Sequence, residues 1–245
     1  MSLARTELLV GREGMARLRN ACVAVYGLGG VGSHAFEALA RAGVGSFLLV
    51  DFDEVHPTNI NRQLLALHST VGRKKTELAV ERLAQINPDA HVETVDEFLS
   101  SRNLDRLLPD SVTHAIDAID ALGPKAALLA ALHQRPIPFV ACMGASSRLS
   151  PTNIRVGDLV DIRHDPLAKR VRTRLRKYGI EHGIRCVYSD EPPQKVFDRD
   201  EPPEPAPPGA NRPRVSPVRG TISYLPGLIG LTAAGLIVTD ILSQE

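Results

Sequence analysis

A chain of 245 residues, 43% of them apolar, is long enough to bury one substantial α/β core, and its composition excludes a disordered or fibrous protein. The formal charge of +1 gives no global pull toward nucleic acid, so any polyanion site must come from local clusters of Lys and Arg. Three widely spaced cysteines, Cys22, Cys142 and Cys186, argue against a disulfide framework; with no basic-then-apolar segment after Met1, a reduced cytoplasmic protein is expected.

In chain order, Cys22 to Tyr26 reads as a buried strand, the glycine loop Gly27-Leu28-Gly29-Gly30-Val31-Gly32 follows, and Ser33 to Ala42 reads as a helix stopped by Gly43. Ser46 to Val50 is a second apolar strand ending on Asp51, which makes a βαβ unit with parallel strands and a right-handed crossover. The spacing of Leu78, Leu83 and Ile86 predicts a helix from Lys74 to Ile86, ended by Asn87-Pro88, and His91 to Val95 alternates like a strand. Val112 to Ile116 is another strand, Pro124 to Gln134 a helix opened by proline, and Ile137 to Cys142 one more strand. This alternation predicts an α/β fold: a Rossmann-like, doubly wound, mostly parallel sheet with flanking helices and a C-terminal extension, forming one unit over residues 1–245.

Asp165-Pro166 opens a further helix in which Leu167, Val171, Leu175 and Tyr178 make an apolar stripe. Lys169, Arg170, Arg172, Arg174, Arg176 and Lys177 occupy the rest, with no acid among them, a pattern suited to phosphate contact without base reading and equally to an ordinary solvated helix. Prolines crowd residues 190–217 and exclude regular structure, so a long loop or lid is expected there. The apolar run Leu225 to Leu242 barely reaches bilayer length and is broken by Pro226, Gly227, Gly230 and Gly235; it reads as a buried or oligomer-facing helix rather than a membrane anchor.

Glycines at 27, 29 and 32 allow a tight turn, close approach of backbone to phosphate and helix-to-sheet packing, and Asp51 is placed to bind ribose hydroxyls. That set suits NAD and ATP equally. The discriminating stretch runs from Asp51 through Asp53, Asn59, Asn61, Arg62 and Gln63, with Arg73, Lys74 and Lys75 beyond it. Hydride transfer has no need of these groups. Adenylylation does, because a carboxylate attacks the α-phosphorus, pyrophosphate leaves, and the growing negative charge must be met by cations. Asp53 also fits as a loop cap, Asn61 as a turn former, Lys74 as a solvated helix charge, and Asp117 as either a ligand or a polar cap.

Gly27-x-Gly29-Gly30-x-Gly32-Ser33, Asp51-x-Asp53-x-Val55, Asn59-x-Asn61-Arg62-Gln63, Gly72-x-x-Lys75, Ile86-Asn87-Pro88 and Asp117-Ala-Ile-Asp120, in that order, resemble the ubiquitin-activating-enzyme-like superfamily. The resemblance implies that the glycines and Asp51 hold adenosine and phosphate, with Ser33 and Asp53 completing the nucleotide-binding set. It further implies that Asn59, Arg62 and Gln63 grip the β and γ phosphates, Lys75 stabilises the leaving pyrophosphate, and Asp120 holds Mg²⁺. Arg5 is similar to a family arginine that reaches the neighbouring subunit's ATP, which implies a homodimer.

Members that activate ubiquitin-like or sulfur-carrier proteins usually carry two Cys-x-x-Cys pairs for structural zinc, and this chain has none, so no structural zinc is expected. Thioester chemistry would have to use Cys142 or Cys186, each read more simply as a buried, inert thiol. Arg5-Thr-Glu-Leu-Leu-Val-Gly-Arg-Glu-Gly14, Met143-Gly144-Ala145, Asp165-Pro166-Leu167-Ala168, Val187-Tyr-Ser-Asp-Glu-Pro192 and Leu225-Pro-Gly-Leu228 resemble the tRNA threonylcarbamoyladenosine dehydratases. That implies ATP-dependent activation of the threonyl carboxylate of the modified adenosine and cyclisation by its own carbamoyl nitrogen. Activation of a carrier protein's C-terminus is the alternative. Ser146 and Ser150 depart from the pattern where relatives often have glycine and an acid, which puts substrate positioning in doubt but not ATP binding. Some relatives have a Cys-rich segment in place of residues 190–217, and binding of a monovalent cation or a sulfur-transfer protein is left open.

Overall fold

The alternating runs assemble as a seven-stranded sheet in a computed structural model that describes residues 3–195 and 220–243. In chain order the elements are α1 (Ala4–Asn20), β1 (Cys22–Tyr26), α2 (Gly32–Ala42), β2 (Ser46–Val50), α3 (Lys75–Ile86), β3 (His91–Val95), α4 (Leu104–Leu107), β4 (His114–Asp117), α5 (Leu122–His133), β5 (Phe139–Cys142), β6 (Ile154–Asp158), α6 (Pro166–Leu175), β7 (Arg185–Ser189) and α7 (Tyr224–Ser243). The strand order is β3-β2-β1-β4-β5-β7-β6, all parallel except β6, which runs antiparallel to β7. The order reverses between β1 and β4. In an open α/β sheet, the crevice outside the carboxyl ends of the strands at such a reversal is where ligands bind.

The two-residue period of the strands decides what covers each face. Val23 and Val25 of β1 pack with Phe36 and Leu39 of α2, Leu78 and Leu83 of α3, and Met15 and Leu18 of α1. Ala24 and Tyr26 point the other way, toward Leu107, Leu128 and Leu132. Burial on both faces is why the central strands read as unbroken apolar runs, whereas β3 at the edge mixes half-buried and exposed positions. Tyr26 pairs with Val50 on one side and Asp117 on the other. Gly27, Asp51 and Ala118 therefore leave the sheet at one level.

The anticipated α2, β2, α3 and β3 lie within a residue of their expected bounds. β4 starts at His114 because Val112 instead closes a turn on Pro109. α5 starts two residues before Pro124, since the first turn of a helix has no acceptors for its N–H groups and tolerates proline. β5 starts at Phe139, after Pro138, which has no N–H to give the ladder. α1, α4, β6 and β7 were not anticipated; α1 turns a corner at Gly11, with φ of 72°.

The apolar C-terminal run forms α7, a partly buried helix as expected, and it lies on α2. Ile229, Ala233, Ala234, Ile237 and Ile241 are buried in the same core as α2 and the sheet. By length and composition α7 could cross a membrane, yet half of its most apolar stretch is buried in this fold. Each large side chain so buried contributes roughly 1.5–3 kcal/mol, which accounts for the apolar run without a bilayer. Beyond Lys195 the expected proline-rich lid (190–217) lies outside the described residues. Its flanks meet at one place: Gln194 N–H donates to Ser147 O (2.7 Å) and Ser147 N–H donates to Gly220 O (2.8 Å).

Candidate active site

The glycine loop is shaped by contacts that no side chain would permit. Gly27 has φ of 92°, and a Cβ on Gly32 would lie 1.7 Å from Gly27 O, so only glycine lets α2 start so close beneath the turn. Around Gly29 the nearest neighbour of such a Cβ is Gln63 Nε2 at 3.8 Å, which leaves the centre of the loop open to a ligand. Gly30 abuts Pro226 of α7 and Arg62. Ser33, expected in the nucleotide-binding set, is fully buried: its hydroxyl donates to Gly29 O (2.7 Å) and accepts from Leu64 N–H (3.2 Å). It fastens the loop to the segment that follows Gln63.

Asp51, at the end of β2, receives the Leu28 N–H on Oδ2 (2.5 Å) and the Asp53 N–H on Oδ1 (2.8 Å). Residues 53–55 pair antiparallel with 73–75 through Val55 N–H to Arg73 O and Lys75 N–H to Asp53 O, and this brings the first residue of α3 under the loop. Lys75 is 3% exposed, with Nζ 2.9 Å from Asp53 Oδ2 and 3.9 Å from Asp51 Oδ1. Burial pushes the Asp51 carboxyl up; the Lys75 charge and the two N–H donors oppose it. A buried ammonium between two carboxylates, beside an open phosphate loop, is a cation that an incoming polyphosphate can share.

The intervening turn begins at His56, which is followed by a 3-10 turn, Pro57–Asn59. Asn59 is buried and accepts the His56 N–H on Oδ1 (3.1 Å), so that oxygen holds the turn. Arg62 donates through Nη1 to Thr58 O (2.8 Å) and Asn61 Oδ1 (3.0 Å) and, among the described residues, has no carboxylate within ion-pair distance. Its backbone and Cγ lie against Gly30, and its guanidinium is held by Thr58 and Asn61 without a carboxylate among those residues. Gln63 is 8% exposed, and its Oε1 is buried without a hydrogen-bond partner among the described residues. An orphaned polar atom of this kind beside the loop fits a place that a ligand or water completes. Asn61 Nδ2 reaches Thr221 O (2.9 Å), so the chain re-entering from residue 220 runs along this wall.

Asp117, left open as ligand or cap, is a buried cap. Its Oδ1 accepts the Ile119 N–H (3.1 Å) and its Oδ2 pairs with Lys125 Nζ (2.7 Å), both side chains being wholly inaccessible. Lys125 also donates to Ile119 O (3.0 Å) and Cys142 O (2.7 Å). Burial pushes the Asp117 carboxyl up, with Lys125 opposing. Asp120 is exposed on the same loop, two residues past Ala118, whose carbonyl would meet a Cβ on Gly27 at 2.9 Å. Gly27, Gly29, Gly30, Gly32, Asp51, Asp53, Asn59, Arg62, Gln63, Lys75 and Asp120 therefore lie around one crevice. Arg5 does not join them: Leu3, just before α1, lies against Gly43, at the far end of α2 from the glycine loop.

On the other side of the sheet, Asp165 caps α6 by accepting Leu167 N–H (2.7 Å) and Ala168 N–H (3.0 Å). Lys169, Arg170, Arg174, Arg176 and Lys177 are exposed and, among the described residues, have no carboxylate partner. Arg172 differs from them: it is half-buried, and its guanidinium donates to Leu159 O (2.8 Å) and Ile162 O (2.5 Å), so it fastens α6 to the fold. Tyr178 is 51% exposed and leaves the apolar stripe; Ala168 takes the buried position beside Val171 and Leu175. Cys142 and Cys186 are buried, which pushes the Cys142 thiol up to about 12 and the Cys186 thiol higher still. Neither is a thioester nucleophile.

Sequence reasoning missed Lys125 and Arg148. Lys125 had a signal, being the one charge in an otherwise apolar α5; Arg148, 3% exposed, hydrogen-bonded to main-chain oxygens and ion-paired with Asp165, had none.

Comparison with known proteins gives this crevice a family. Over 248 aligned residues the chain is 40% identical to the tRNA threonylcarbamoyladenosine dehydratase of Bacillus subtilis (strain 168), covering 98% of this chain and 94% of that one. It is 42% identical to the enzyme of the same name from Escherichia coli (strain K12), over 76% of this chain and 72% of the relative. The solved E. coli tRNA N6-threonylcarbamoyladenosine dehydratase in complex with AMP superposes with a TM-score of 0.87 at 34% identity, covering 98% of this chain and 94% of that one. Its complex with ATP gives 0.86 at the same identity, over 98% and 93%. Residues 3–245 match the ThiF family model, and the chain belongs to the ThiF family.

Proposed function

We propose that this protein is an ATP-dependent tRNA threonylcarbamoyladenosine dehydratase. The threonyl carboxylate of the modified adenosine attacks the α-phosphorus of ATP and pyrophosphate leaves. The substrate's carbamoyl nitrogen then attacks the acyl carbon and loses its proton, AMP departs with the carboxylate oxygen, and a hydantoin-type ring closes. The net change is loss of one water, with no enzyme nucleophile, in keeping with two inaccessible thiols. What supports this reading is a fold shared over nearly its whole length with ATP- and AMP-bound dehydratases, with Lys75 buried against Asp53 and Asp51 beside an open glycine loop.

In this reading the Gly29 region admits the phosphates, Arg62 and Gln63 hold them, and Lys75 exchanges part of its pairing with Asp53 for the departing pyrophosphate. Asp120 would hold Mg²⁺, which neutralises phosphate charge when bound. Among the described residues no three acidic, His or Cys groups gather as a metal cage. A Mg²⁺ carried on a triphosphate needs only one or two carboxylates, and Asp120 supplies one. Exposed cations of α6 would contact tRNA phosphates, and Arg5 would complete the site of a partner subunit in a cytoplasmic homodimer.

Pyrophosphate release tests the reading. It is expected to need both ATP and threonylcarbamoyl-modified tRNA. Release that instead requires a small carrier protein ending in Gly-Gly would favour the carrier-activating alternative, represented by the Salmonella typhimurium molybdopterin-synthase adenylyltransferase, which matches only 56% of this chain.

A further inference from the structure

A helix cap needs one acceptor oxygen, and Ser or Asn serves as well as Asp. Asp165 has a second oxygen with a second duty. It is 2% exposed, and while Oδ1 caps α6, Oδ2 accepts the Gly144 N–H (2.9 Å) and lies 3.6 Å from Arg148 Nη2. Arg148 in turn donates to Gly144 O (2.8 Å), Ser146 O (3.3 Å), His164 O (2.8 Å) and Glu191 O (2.9 Å). Both backbone groups of Gly144 are thus held by one buried ion pair, which also holds the residue before the cap. Gly144 lies two residues beyond β5, at the carboxyl edge of the sheet where the crevice opens. Lys169 and Arg170 stand about one helical turn from the cap.

We infer that the Asp165–Arg148 pair is a positioning element that keeps the basic helix in register with the loop after β5, so that a tRNA gripped by α6 presents its modified nucleoside to the nucleotide crevice. This rests on the function proposed above and adds the link between the two surfaces. Neither residue touches substrate; each acts through Gly144.

Two variants separate capping from coupling. Asp165→Ser keeps a cap acceptor and deletes the oxygen that binds Gly144; Asp165→Asn keeps the shape but sets an amide donor against the Gly144 N–H. In both, kcat for cyclisation is expected to fall at least tenfold, while the Kd values for tRNA and for ATP stay within twofold of the parent. Val171→Ala, which loosens α6 from its core without touching Gly144, is expected to keep kcat within twofold. A second readout needs no turnover: adding unmodified tRNA should slow amide hydrogen exchange in residues 143–150 of the parent protein and not of Asp165→Ser. The inference is overturned by unchanged kcat in both variants, by tRNA affinity that falls in step with kcat, by an equal loss in Val171→Ala, or by no tRNA-induced protection in the parent. A parent protein that shows the protection yet makes no cyclic product would overturn the proposed function and leave the coupling standing.

Discussion

Lys125→Met isolates the buried ion pair beneath the crevice. The substitution keeps the length of the side chain and removes the charge that compensates Asp117, in a place where both side chains are wholly inaccessible. Breaking a buried pair on one side costs about 3–5 kcal/mol, because the remaining charge is stranded. For a chain of this size about 2–4 °C of melting temperature follow each kcal/mol, so a fall of roughly 6–20 °C is expected. Adding Asp117→Asn removes the stranded charge and keeps an acceptor for the Ile119 N–H. The double variant should retain only the loss of the bonds to Ile119 O and Cys142 O, about 0.5–1.5 kcal/mol each. Urea unfolding with an unchanged slope is the assay. A single variant that loses under about 1 kcal/mol, or a double variant no better than the single, would refute the claim that the pair is mutually compensating.

Arg62→Ala and Asp120→Ala, at half-buried and exposed positions, are expected to abolish product while leaving the melting curve in place; near-normal turnover by either would show the crevice to be misassigned. Charge reversal at Lys169, Arg170 and Arg174 should weaken tRNA binding and flatten its salt dependence, whereas Arg172→Ala should lower stability by about 1–3 kcal/mol through its two carbonyl partners. Equal effects of the two substitutions on tRNA affinity would contradict the division. Burial holds the His114 imidazole below its ordinary value of 6.5. Because the unfolded chain takes up that proton first, stability is full above pH 6.5 and declines as pH falls toward the folded value. His114→Gln should flatten that decline in unfolding experiments between about pH 7 and 5; an unchanged slope would remove His114 as its source.

The parts of this fold legible in the sequence were those written by short-range physics. Strands buried on both faces leave apolar runs, and a phosphate turn leaves glycines at fixed offsets, so β1, α2 and β2 were placed closely. α1 was hidden because Gly11 breaks its periodicity, and β6 and β7 because their pairing is set by partners remote in sequence. In the crevice, residue types announced Arg62, Lys75 and Asp51, but not which side chains face a ligand. Ser33 turned inward because its hydroxyl has two backbone partners at hand, and Arg172 because two carbonyls lie within its reach. Likewise, nothing local in Leu225 to Leu242 says that α7 packs against α2, where a Cβ on Gly230 would lie 2.2 Å from Val31 O.

The central claim is most directly tested by weighing nucleosides. Threonylcarbamoyl-modified tRNA is incubated with the protein, ATP and Mg²⁺, digested, and the modified adenosine measured by mass spectrometry. The account predicts a species lighter by one water, formed only with ATP and absent with Arg62→Ala. A modified adenosine of unchanged mass, under conditions where the protein binds both ATP and tRNA, would contradict it.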